Sequence, residues 1–343
     1  MAVSEASYLV INKIKIIAEI GVNHNGDISL AKESIRKAKK SGADIIKFQY
    51  FKAHTMVKKK TKSAKYQLNN TGVKSQYDLL KGLELSINEI KEIKAYCDKI
   101  ELEFLCTAFN AEDLKSLLKL GMKKIKIPSG EITNKLLLHQ AAISNKEIYL
   151  STGMSEYKEI KRAFSYLEKR TKNTVFLLHC TSLYPAPSDS LNLNFLSNLK
   201  GNITNNIGYS DHSTGHLTSC LAVSLGAKVI EKHFTLNKKL KGPDHKASLD
   251  YKEFKVLVDK IRETETILGK STIKPDRREI SVKAIVRKSW YAKRLIKKGE
   301  TLNENNIILK RPLSFLSGWH IPYGKKINKN IKNGSPIKKE DLT

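Results

Sequence analysis

Two histidines stand just after neighbouring apolar segments and could together bind a metal ion. His212 follows the run 206–210, and His233 follows the run 228–232. If these runs are adjacent parallel strands, the two imidazoles converge on one divalent cation and leave positions open for water and substrate. A lone histidine is more often a hydrogen-bonded core residue, but two at matched positions favour a metal site. The sequence therefore predicts a centre held by His212 and His233.

Two lysines and several hydroxyl residues form a second chemical set, which suits an anion. Lys47 and Lys126 lie near the ends of two further apolar runs. Two ammonium groups surrounded by hydroxyl donors fit a phosphate with an adjacent carboxylate. The hydroxyl residues at or just after other run ends are Thr107, Ser129, Ser151, Ser182 and Ser210. We therefore expect these side chains to surround one anionic substrate.

Two glutamates are candidates for acid–base chemistry. Glu19 lies near the end of the first apolar run, and Glu131 follows the fourth. A carboxylate beside a bound metal and an anionic substrate can hold and deprotonate water. For Glu19 the structural alternative is a salt bridge to a neighbouring lysine. The sequence thus predicts Glu131 and Glu19 as catalytic residues.

An alternation of short and long segments must position all of these residues. Short apolar, β-branched runs alternate with longer stretches that have helical spacing. Eight such alternations predict a parallel (β/α)8 TIM barrel of the α/β class, with its chemistry at the carboxyl ends of the strands. An open, doubly wound sheet is the alternative. Asn110 and Ser155 are predicted to cap two of the helices. The runs cover residues 14–20, 43–49, 103–107, 123–127, 147–151, 174–180, 206–210 and 228–232.

The pattern changes towards the C-terminus, which predicts a second domain. Residues 1–268 are predicted as the barrel, 269–281 as a polar linker, and 282–343 as a small module with little helix. A module of roughly 60 residues buries little core alone, so we expect it to pack on the barrel or on a second subunit. Residues 6–14 are expected to form an extra edge strand or a loose arm.

The composition bounds the class of protein. The net charge is +28, from 62 Lys and Arg against 34 Asp and Glu. Nucleic-acid binding is one explanation, but no basic–aromatic motif supports it, and lysines on solvated helix faces explain the charge better. No apolar run approaches the roughly 20 residues of a membrane helix, and the start resembles no export signal. The four cysteines fit no disulfide or CxxC pattern. We expect a cytoplasmic protein with reduced cysteines and neither nucleic-acid nor membrane partners.

Several segments, in order, resemble those of the bacterial sialic acid synthases, a family that includes the legionaminic and pseudaminic acid synthases. The tail, with KKGE at 297–300 and KRP at 310–312, is similar to their C-terminal antifreeze-like (SAF) module. The resemblance covers nearly the whole chain from residue 15. The segments are EIGVNHNG (19–26), KFQ (47–49), KIPSGE (126–131), STGM (151–154), HCTSLYP (179–185), YSDHS (209–213), EKHFTL (231–236) and GPDH (242–245).

The resemblance implies a TIM barrel followed by an SAF module of β-clip fold, in a domain-swapped homodimer. It implies that His212 and His233 bind Mn²⁺, with Mg²⁺ or Co²⁺ as alternatives. It assigns phosphoenolpyruvate to Lys47, Thr107, Lys126, Ser129, Ser151, Ser182 and Ser210. It assigns the sugar to Glu19, Gln49, Tyr184 and Asp244, with Arg311 reaching in from the partner's SAF module.

The implied reaction condenses phosphoenolpyruvate with an N-acetylated amino sugar and releases phosphate by C–O cleavage, in nonulosonic acid biosynthesis. The first prediction for the acceptor is N-acetylmannosamine, which gives N-acetylneuraminate. The alternative is a 2,4-diacetamido-trideoxyhexose, which gives legionaminate or pseudaminate. Residues 66–72 and 75–77 resemble the neuraminate and legionaminate synthases more than the pseudaminate synthases. An inactive sugar-binding protein is a further alternative, which the intact metal and phosphate positions disfavour.

Overall fold

A computed structural model describes residues 13–270 and 274–343 and confirms the predicted barrel. Eight parallel strands close in the order β1 to β8. Each of the predicted runs overlaps one strand. The strands are β1 (Lys15–Gly21), β2 (Ile45–Tyr50), β3 (Glu103–Ala108), β4 (Lys124–Ile127), β5 (Glu147–Ser151), β6 (Val175–Cys180), β7 (Ile207–Asp211) and β8 (Val229–His233).

The pairing of the strands brings ionisable residues to the same face. Glu19 of β1 pairs with Lys47 of β2 on one side and with His233 of β8 on the other. Ser210 of β7 pairs with Glu231 of β8. Paired residues point to the same face of a sheet, and residues two apart on a strand do so as well. These side chains therefore all face the inside of the barrel, near the carboxyl ends of its strands.

Helices connect the strands and pack against their outer face. On the helix after β8, Phe254, Leu257, Val258 and Ile261 are buried, and this spacing places them on one side. Burying each of these side chains stabilises the fold by about 1.5–3 kcal/mol. The helices are α1 (Ile28–Lys40), α2 (Ala53–Met56), α3 (Lys65–Thr71), α4 (Gln76–Lys81), α5 (Ile87–Lys99), α6 (Ala111–Lys119), α7 (Lys135–Ile143), α8 (Tyr157–Glu168), α9 (Phe195–Asn202), α10 (Leu217–Ser224) and α11 (Tyr251–Leu268).

One of the two predicted helix caps is confirmed. The side chain of Asn110 accepts a hydrogen bond from the amide of Asp113 in the first turn of α6, at 2.8 Å. The prediction for Ser155 was wrong by one residue, because Glu156 occupies the cap of α8. The Ser155 hydroxyl instead donates to the carbonyl of Gly153 in the preceding loop, at 3.2 Å. Its hydrogen bond stabilises the loop after β5 rather than the helix.

A helical insertion, α2 to α4, follows β2, and the strand–helix alternation did not predict it. Ser75 caps α4 by accepting from the amide of Asp78, and Gly72 ends α3 with a φ of 75°. A left-handed residue at the end of a helix favours glycine, which has no Cβ to clash. The insertion packs through its own apolar cluster, separate from the main core, formed by Val22, Phe51, Ala53, Leu79, Leu80 and Leu83.

The chain divides into two compact units at residues 269 and 270. In the second unit α12 (Arg277–Val286) precedes β9 (Ser289–Ala292) and β10 (Ile307–Lys310), which pair antiparallel. The helix begins inside the segment 269–281 that the sequence predicts as a linker. Its N-cap, Asp276, accepts from the amide of Arg278, and the polar first turn hid the helix from the sequence pattern.

Part of two predictions lies outside the described residues, namely 6–12 of the N-terminal arm and 271–273 of the linker. The domain boundaries and the SAF assignment stay predictions. Within the described ranges, the helices are all too short or too polar to cross a membrane. The four cysteines are all free.

Candidate active site

The carboxyl ends of the barrel strands surround a cavity of about 220 Å³. It brings together most of the residues that the sequence predicted from distant parts of the chain. Predicted residues that line it are Glu19, Lys47, Gln49, Thr107, Lys126, Ser129, Tyr184, Ser210, His212, His233 and Asp244. Ser151, Ser182 and Glu131 are not among its lining residues, and Arg311 belongs to the second unit.

Four buried charges meet on the floor of this cavity. The Lys47 ammonium lies 2.9 Å from Glu19 Oε2 and 3.5 Å from Glu231 Oε2. The Lys126 ammonium lies 2.9 Å from Glu231 Oε1. The hydroxyl of Ser210 donates to the same oxygen of Glu231 at 2.8 Å. Because each ammonium has a carboxylate partner, the cluster carries no net charge when both glutamates are ionised.

The surroundings perturb the pKa of each member of the cluster. Burial alone would raise the pKa of Glu231, but the charges of Lys126 and Lys47 hold it well below its usual range. Burial raises the pKa of Glu19, against the opposing effect of Lys47. Burial lowers the pKa of Lys126, whereas for Lys47 the charges of Glu19 and Glu231 outweigh burial and raise it. Lys126 is thus the less firmly charged of the two lysines.

Glu231 is the residue of this cluster that the sequence analysis did not single out. It contacts both lysines and Ser210, so it lies at the centre of the charged floor. A signal for it was present, because it lies two residues before His233 on β8 and therefore faces the same side of the sheet.

The predicted hydroxyl residues differ in their hydrogen-bond partners. Thr107 accepts from the Lys47 ammonium at 3.2 Å, and Ser129 accepts from the amide of Gly153 at 3.0 Å. The hydroxyl of Ser151 is buried and has no hydrogen-bond partner among the described residues. A buried hydroxyl without a partner is costly, which favours a ligand or water as its partner.

Gly153 packs tightly between two of these hydroxyls. A Cβ at this position would lie 2.4 Å from the Ser182 hydroxyl and 2.9 Å from that of Ser129. The Ser129 hydroxyl also lies 3.0 Å from the sulfur of Cys180, which lines the cavity too. Glycine is therefore required here for close packing of the loop after β5.

His212 and His233 approach each other at the cavity, with ring centroids 5.5 Å apart. His212 Nδ1 is 2.7 Å from the carbonyl of Thr181, so Nδ1 carries the proton and Nε2 keeps its lone pair. Nδ1 of His233 is buried and has no hydrogen-bond partner among the described residues. Burial lowers the pKa of both rings to about 3. The charge of His233 adds to this effect for His212, and the charge of Lys47 adds to it for His233. Both are neutral at pH 7, which is the form that binds metal.

These features fit the predicted divalent cation. An unpartnered ring nitrogen and an oriented imidazole suit a metal that prefers nitrogen donors. The described residues contain no group of three or more His, Cys, Asp or Glu side chains placed to hold a metal. Further ligands would therefore come from water or substrate, which matches an open catalytic site.

A hydrogen-bond network holds the loop that carries Asp244. Asn23 donates to the carbonyl of Phe234 at 2.9 Å and to the hydroxyl of Ser248 at 2.8 Å. Ser248 donates in turn to the carbonyl of Asp244 at 2.7 Å. Burial raises the pKa of the Asp244 carboxyl to about 7, and the charge of Glu19 adds to this rise. The loop after β1 thus helps to position the Asp244 carboxyl at the cavity.

Two predicted residues lie elsewhere. Glu131 sits on a short 3-10 turn after β4 and accepts from the side-chain amide of Asn134 at 2.7 Å. Arg311 is exposed on the second unit. A catalytic role for Glu131 and a sugar contact for Arg311 therefore stay predictions.

Some polar residues near the strand ends face outward. Lys232 and Asp211 form an ion pair of 2.9 Å with fully buried side chains, outside the barrel. Ser213, Thr218 and Ser219 donate further hydrogen bonds to Asp211. Because this pair joins the ends of β7 and β8, it fastens together the two strands that carry the histidines.

An apolar wall closes one side of the cavity. Its members come from the loop after β1, the insertion α2 to α4 and the loop after β3. Beside it, Tyr66 of α3 stacks on Tyr184 with centroids 5.2 Å apart. The wall residues are Val22, Leu79, Leu80, Leu83 and Phe109.

Comparison with known proteins gives consistent matches. The NeuB family profile matches residues 34–273. The N,N'-diacetyllegionaminic acid synthase of Legionella pneumophila is 42% identical over 94% of this chain and 92% of that protein. The enzyme of the same name from Campylobacter jejuni is 45% identical over 95% of this chain and 99% of that protein. The crystal structure of an N-acetylneuraminic acid (sialic acid) synthetase from Leptospira borgpetersenii, in complex with citrate, superposes with a TM-score of 0.72 at 34% identity, over 79% of this chain and 90% of that chain.

Proposed function

The chain belongs to the NeuB family, and from this we propose that it condenses phosphoenolpyruvate with the open-chain aldehyde of an N-acetylated amino sugar. The products would be a nonulosonic acid and inorganic phosphate. The observation that carries the proposal is one cavity with two buried lysines on its floor and two neutral imidazoles beside them. A barrel with only a structural role would not bury these groups, because each costs free energy to desolvate.

Phosphoenolpyruvate is proposed to bind at the floor. Lys47 and Lys126 would donate charge-assisted hydrogen bonds to its phosphate and carboxylate, as ammonium groups do at anion sites. Thr107, Ser129 and Ser210 line the same region and would donate from their hydroxyls. Binding would require the lysines to exchange part of their contact with the glutamates for contact with the substrate.

The proposed metal would be held by His212 and His233, with Mn²⁺ preferred and Mg²⁺ or Co²⁺ as alternatives. A bound divalent cation supplies Lewis acidity that polarises the aldehyde of the sugar. The Thr181 carbonyl fixes the ring of His212 in the tautomer that leaves Nε2 available. The outward pair of Lys232 and Asp211 keeps both rings on adjacent, fastened strands.

The bond changes follow from the two substrates. Carbon 3 of phosphoenolpyruvate attacks the aldehyde carbon and forms the new C–C bond, which leaves positive charge at carbon 2. The aldehyde oxygen takes the electron pair of the broken C=O π bond and becomes a hydroxyl by gaining a proton. Water adds at carbon 2, and its proton passes to a carboxylate of the protein. The tetrahedral intermediate then breaks its C–O bond, and phosphate leaves. Lys47 and Lys126 would stabilise the charge on phosphate during both steps, and orientation by the cavity would supply much of the rate.

The carboxylate that receives the proton is a choice between two residues. Glu131 is the predicted base, but its hydrogen bond to Asn134 would have to break for it to reach the cavity. Glu19 already lines the cavity and has a raised pKa through burial. Comparing Glu131→Gln with Glu19→Gln in single-turnover phosphate release separates the two, because only loss of the true base should slow the step after C–C bond formation.

Two acceptors fit the family, N-acetylmannosamine and a diacetamido-trideoxyhexose. N-acetylmannosamine was the first prediction, but the relatives favour the diacetamido sugar. The relatives that are 42% and 45% identical are both N,N'-diacetyllegionaminic acid synthases, which favours a diacetamido acceptor for this chain.

We also propose a homodimer in which Arg311 of one subunit reaches the cavity of the other. Large exposed apolar side chains on the second unit support a covering partner, since Trp319 is 94% exposed and Ile321 is 71% exposed. Sedimentation of the purified chain would show a dimer, and a monomer at micromolar concentration would contradict it.

Phosphate release in the presence of phosphoenolpyruvate, each hexose and Mn²⁺ tests the proposed activity. Lys126→Met should lower kcat/KM by more than about 100-fold, because a buried charged hydrogen bond to the substrate is lost. Lys123→Met, at an exposed position just before β4, is the matched control and should behave like wild type. Equal activity of the two variants would contradict the proposed floor.

A further inference from the structure

Two groups of residues that line the cavity differ in chemistry. The two histidines, Tyr184 and Asp244 form a polar group. The wall is apolar and comes from elements that follow β1, β2 and β3. Val22 lies three residues beyond Glu19, and Phe109 lies two residues beyond Thr107. The wall therefore stands at the rim, above the charged floor.

The wall offers almost no polar surface to a ligand. Val22 is 4% exposed, Leu79 and Leu83 are 7% exposed, and Leu80 is 8% exposed, so their faces are covered except towards the cavity. The leucines are fixed by the cluster that packs the insertion and by the cap of α4. Gln76, in the first turn of α4, and Gln67 of α3 also line the cavity and supply amides near the wall.

We propose that this wall selects the acceptor by the apolar character of its far end. If the aldehyde lies beside the histidines and phosphoenolpyruvate on the floor, the far carbons of the sugar extend towards the rim. A methyl group at carbon 6 suits the wall, whereas a hydroxymethyl group would have to bury its hydroxyl there. A second acylamino group has a methyl for the wall and an amide for Gln76. The inference rests on the proposed function and names its acceptor as a diacetamido-trideoxyhexose.

The expected discrimination follows from the chemistry of apolar pockets. Such a pocket rejects a ligand with an added hydroxyl by a factor of up to about 100, because the hydroxyl loses its water and gains no partner. We therefore expect wild-type kcat/KM for the diacetamido-trideoxyhexose to exceed that for N-acetylmannosamine by about 10- to 100-fold.

Val22→Thr tests the apolar character of the wall, because threonine adds a hydroxyl while nearly keeping the shape of valine. The new hydroxyl can partner that of N-acetylmannosamine, so the preference ratio should fall about 3- to 10-fold. Val73→Thr is the matched control, because Val73 packs on the same cluster but does not line the cavity. Leu80→Gln is a second variant of the wall, with the same expected direction. Thermal melting verifies that each variant is folded before its kinetics are compared.

The outcomes separate this inference from the activity on which it rests. Phosphate release with neither acceptor would overturn the proposed function and, with it, the inference. Release with both acceptors at equal efficiency, or a preference for N-acetylmannosamine, would overturn the inference alone. Equal effects of Val22→Thr and Val73→Thr on the ratio, with no change for Leu80→Gln, would also overturn it. A fall in the ratio confined to the two wall variants would support it.

Discussion

Replacing Glu231 by glutamine should destabilise the barrel through one particular lysine. In the wild type the Lys126 ammonium has Glu231 at 2.9 Å, and both side chains are only 4% exposed. Lys47 keeps Glu19 at 2.9 Å after the substitution, so its charge stays paired. The cost therefore falls on Lys126, which would be a buried charge without a carboxylate. Loss of one partner from a buried pair typically costs about 3–5 kcal/mol.

The acid–base chemistry of lysine sets an upper limit to this cost and predicts its pH dependence. Lys126 can release its proton instead of staying charged, which for a lysine with an ordinary pKa of about 10.4 costs about 5 kcal/mol at pH 7. In the folded variant the pKa of Lys126 would lie below its value in the unfolded chain. The lost stability is then greatest at neutral pH and is recovered as the pH rises towards the unfolded pKa. At pH 9 the limit falls to about 2 kcal/mol.

Denaturant and thermal unfolding of wild type and Glu231→Gln at pH 7 and pH 9 measure the effect. For a unit of this size, a loss of 3–5 kcal/mol lowers Tm by about 6–10 °C. Glu263→Gln removes an exposed pair with Lys260 and is the control, which should melt close to wild type. Phosphoenolpyruvate should raise Tm more in Glu231→Gln than in wild type, because its anionic groups replace the missing carboxylate. Wild-type stability of the variant at pH 7, or a deficit that does not shrink at pH 9, would refute the reasoning.

Three further predictions address the metal, acid stability and the thiols. His233→Ala should abolish both turnover and metal dependence, measured as phosphate release during Mn²⁺ titration of chelator-treated protein; retained metal-dependent activity would contradict the ligand assignment. Burial lowers the pKa of His24 to about 4, so the free energy of unfolding should fall by about 2–3 kcal/mol as the pH falls from 7 to 4.5. His24→Asn should flatten this pH dependence, and an unchanged slope would count against the reasoning. Burial raises the pKa of Cys97 to about 12, so a thiol reagent at pH 8 should label half-buried Cys220 first, and equal labelling rates would argue against the structure.

The barrel and much of the cavity could be predicted because they depend on local patterns. Strand ends in a parallel barrel share one face, so His212, His233, Lys47 and Lys126 could be grouped by their position after apolar runs. Glu231 could have been grouped with His233 in the same way, but its pairing with Lys126, 105 positions away, could not be predicted. The pairing depends on the stagger between strands, which no local pattern contains.

The direction in which a side chain points was a second feature that could not be read from the residue types alone. Asp211 and Lys232 each lie next to a predicted metal ligand, yet they point outward, because side chains alternate along a strand. The insertion α2 to α4 was hidden for another reason. Its helices are short and polar, and their few apolar residues pack in a separate cluster rather than in the barrel core. The apolar wall of the cavity could therefore be seen only in the structure.

The balance of charge on the cavity floor explains why a ligand with two anionic groups suits it. In the protein alone Glu19 and Glu231 neutralise Lys47 and Lys126, and this pairing lets the barrel bury four charges. An entering anion must therefore stabilise the two ammonium groups at least as strongly as the glutamates do. A single phosphate can replace one carboxylate, but it leaves the second lysine dependent on its glutamate. Phosphoenolpyruvate carries a phosphate and a carboxylate on neighbouring atoms, so it can meet both ammonium groups at once. The contacts that stabilise the barrel thus also discriminate against simpler anions.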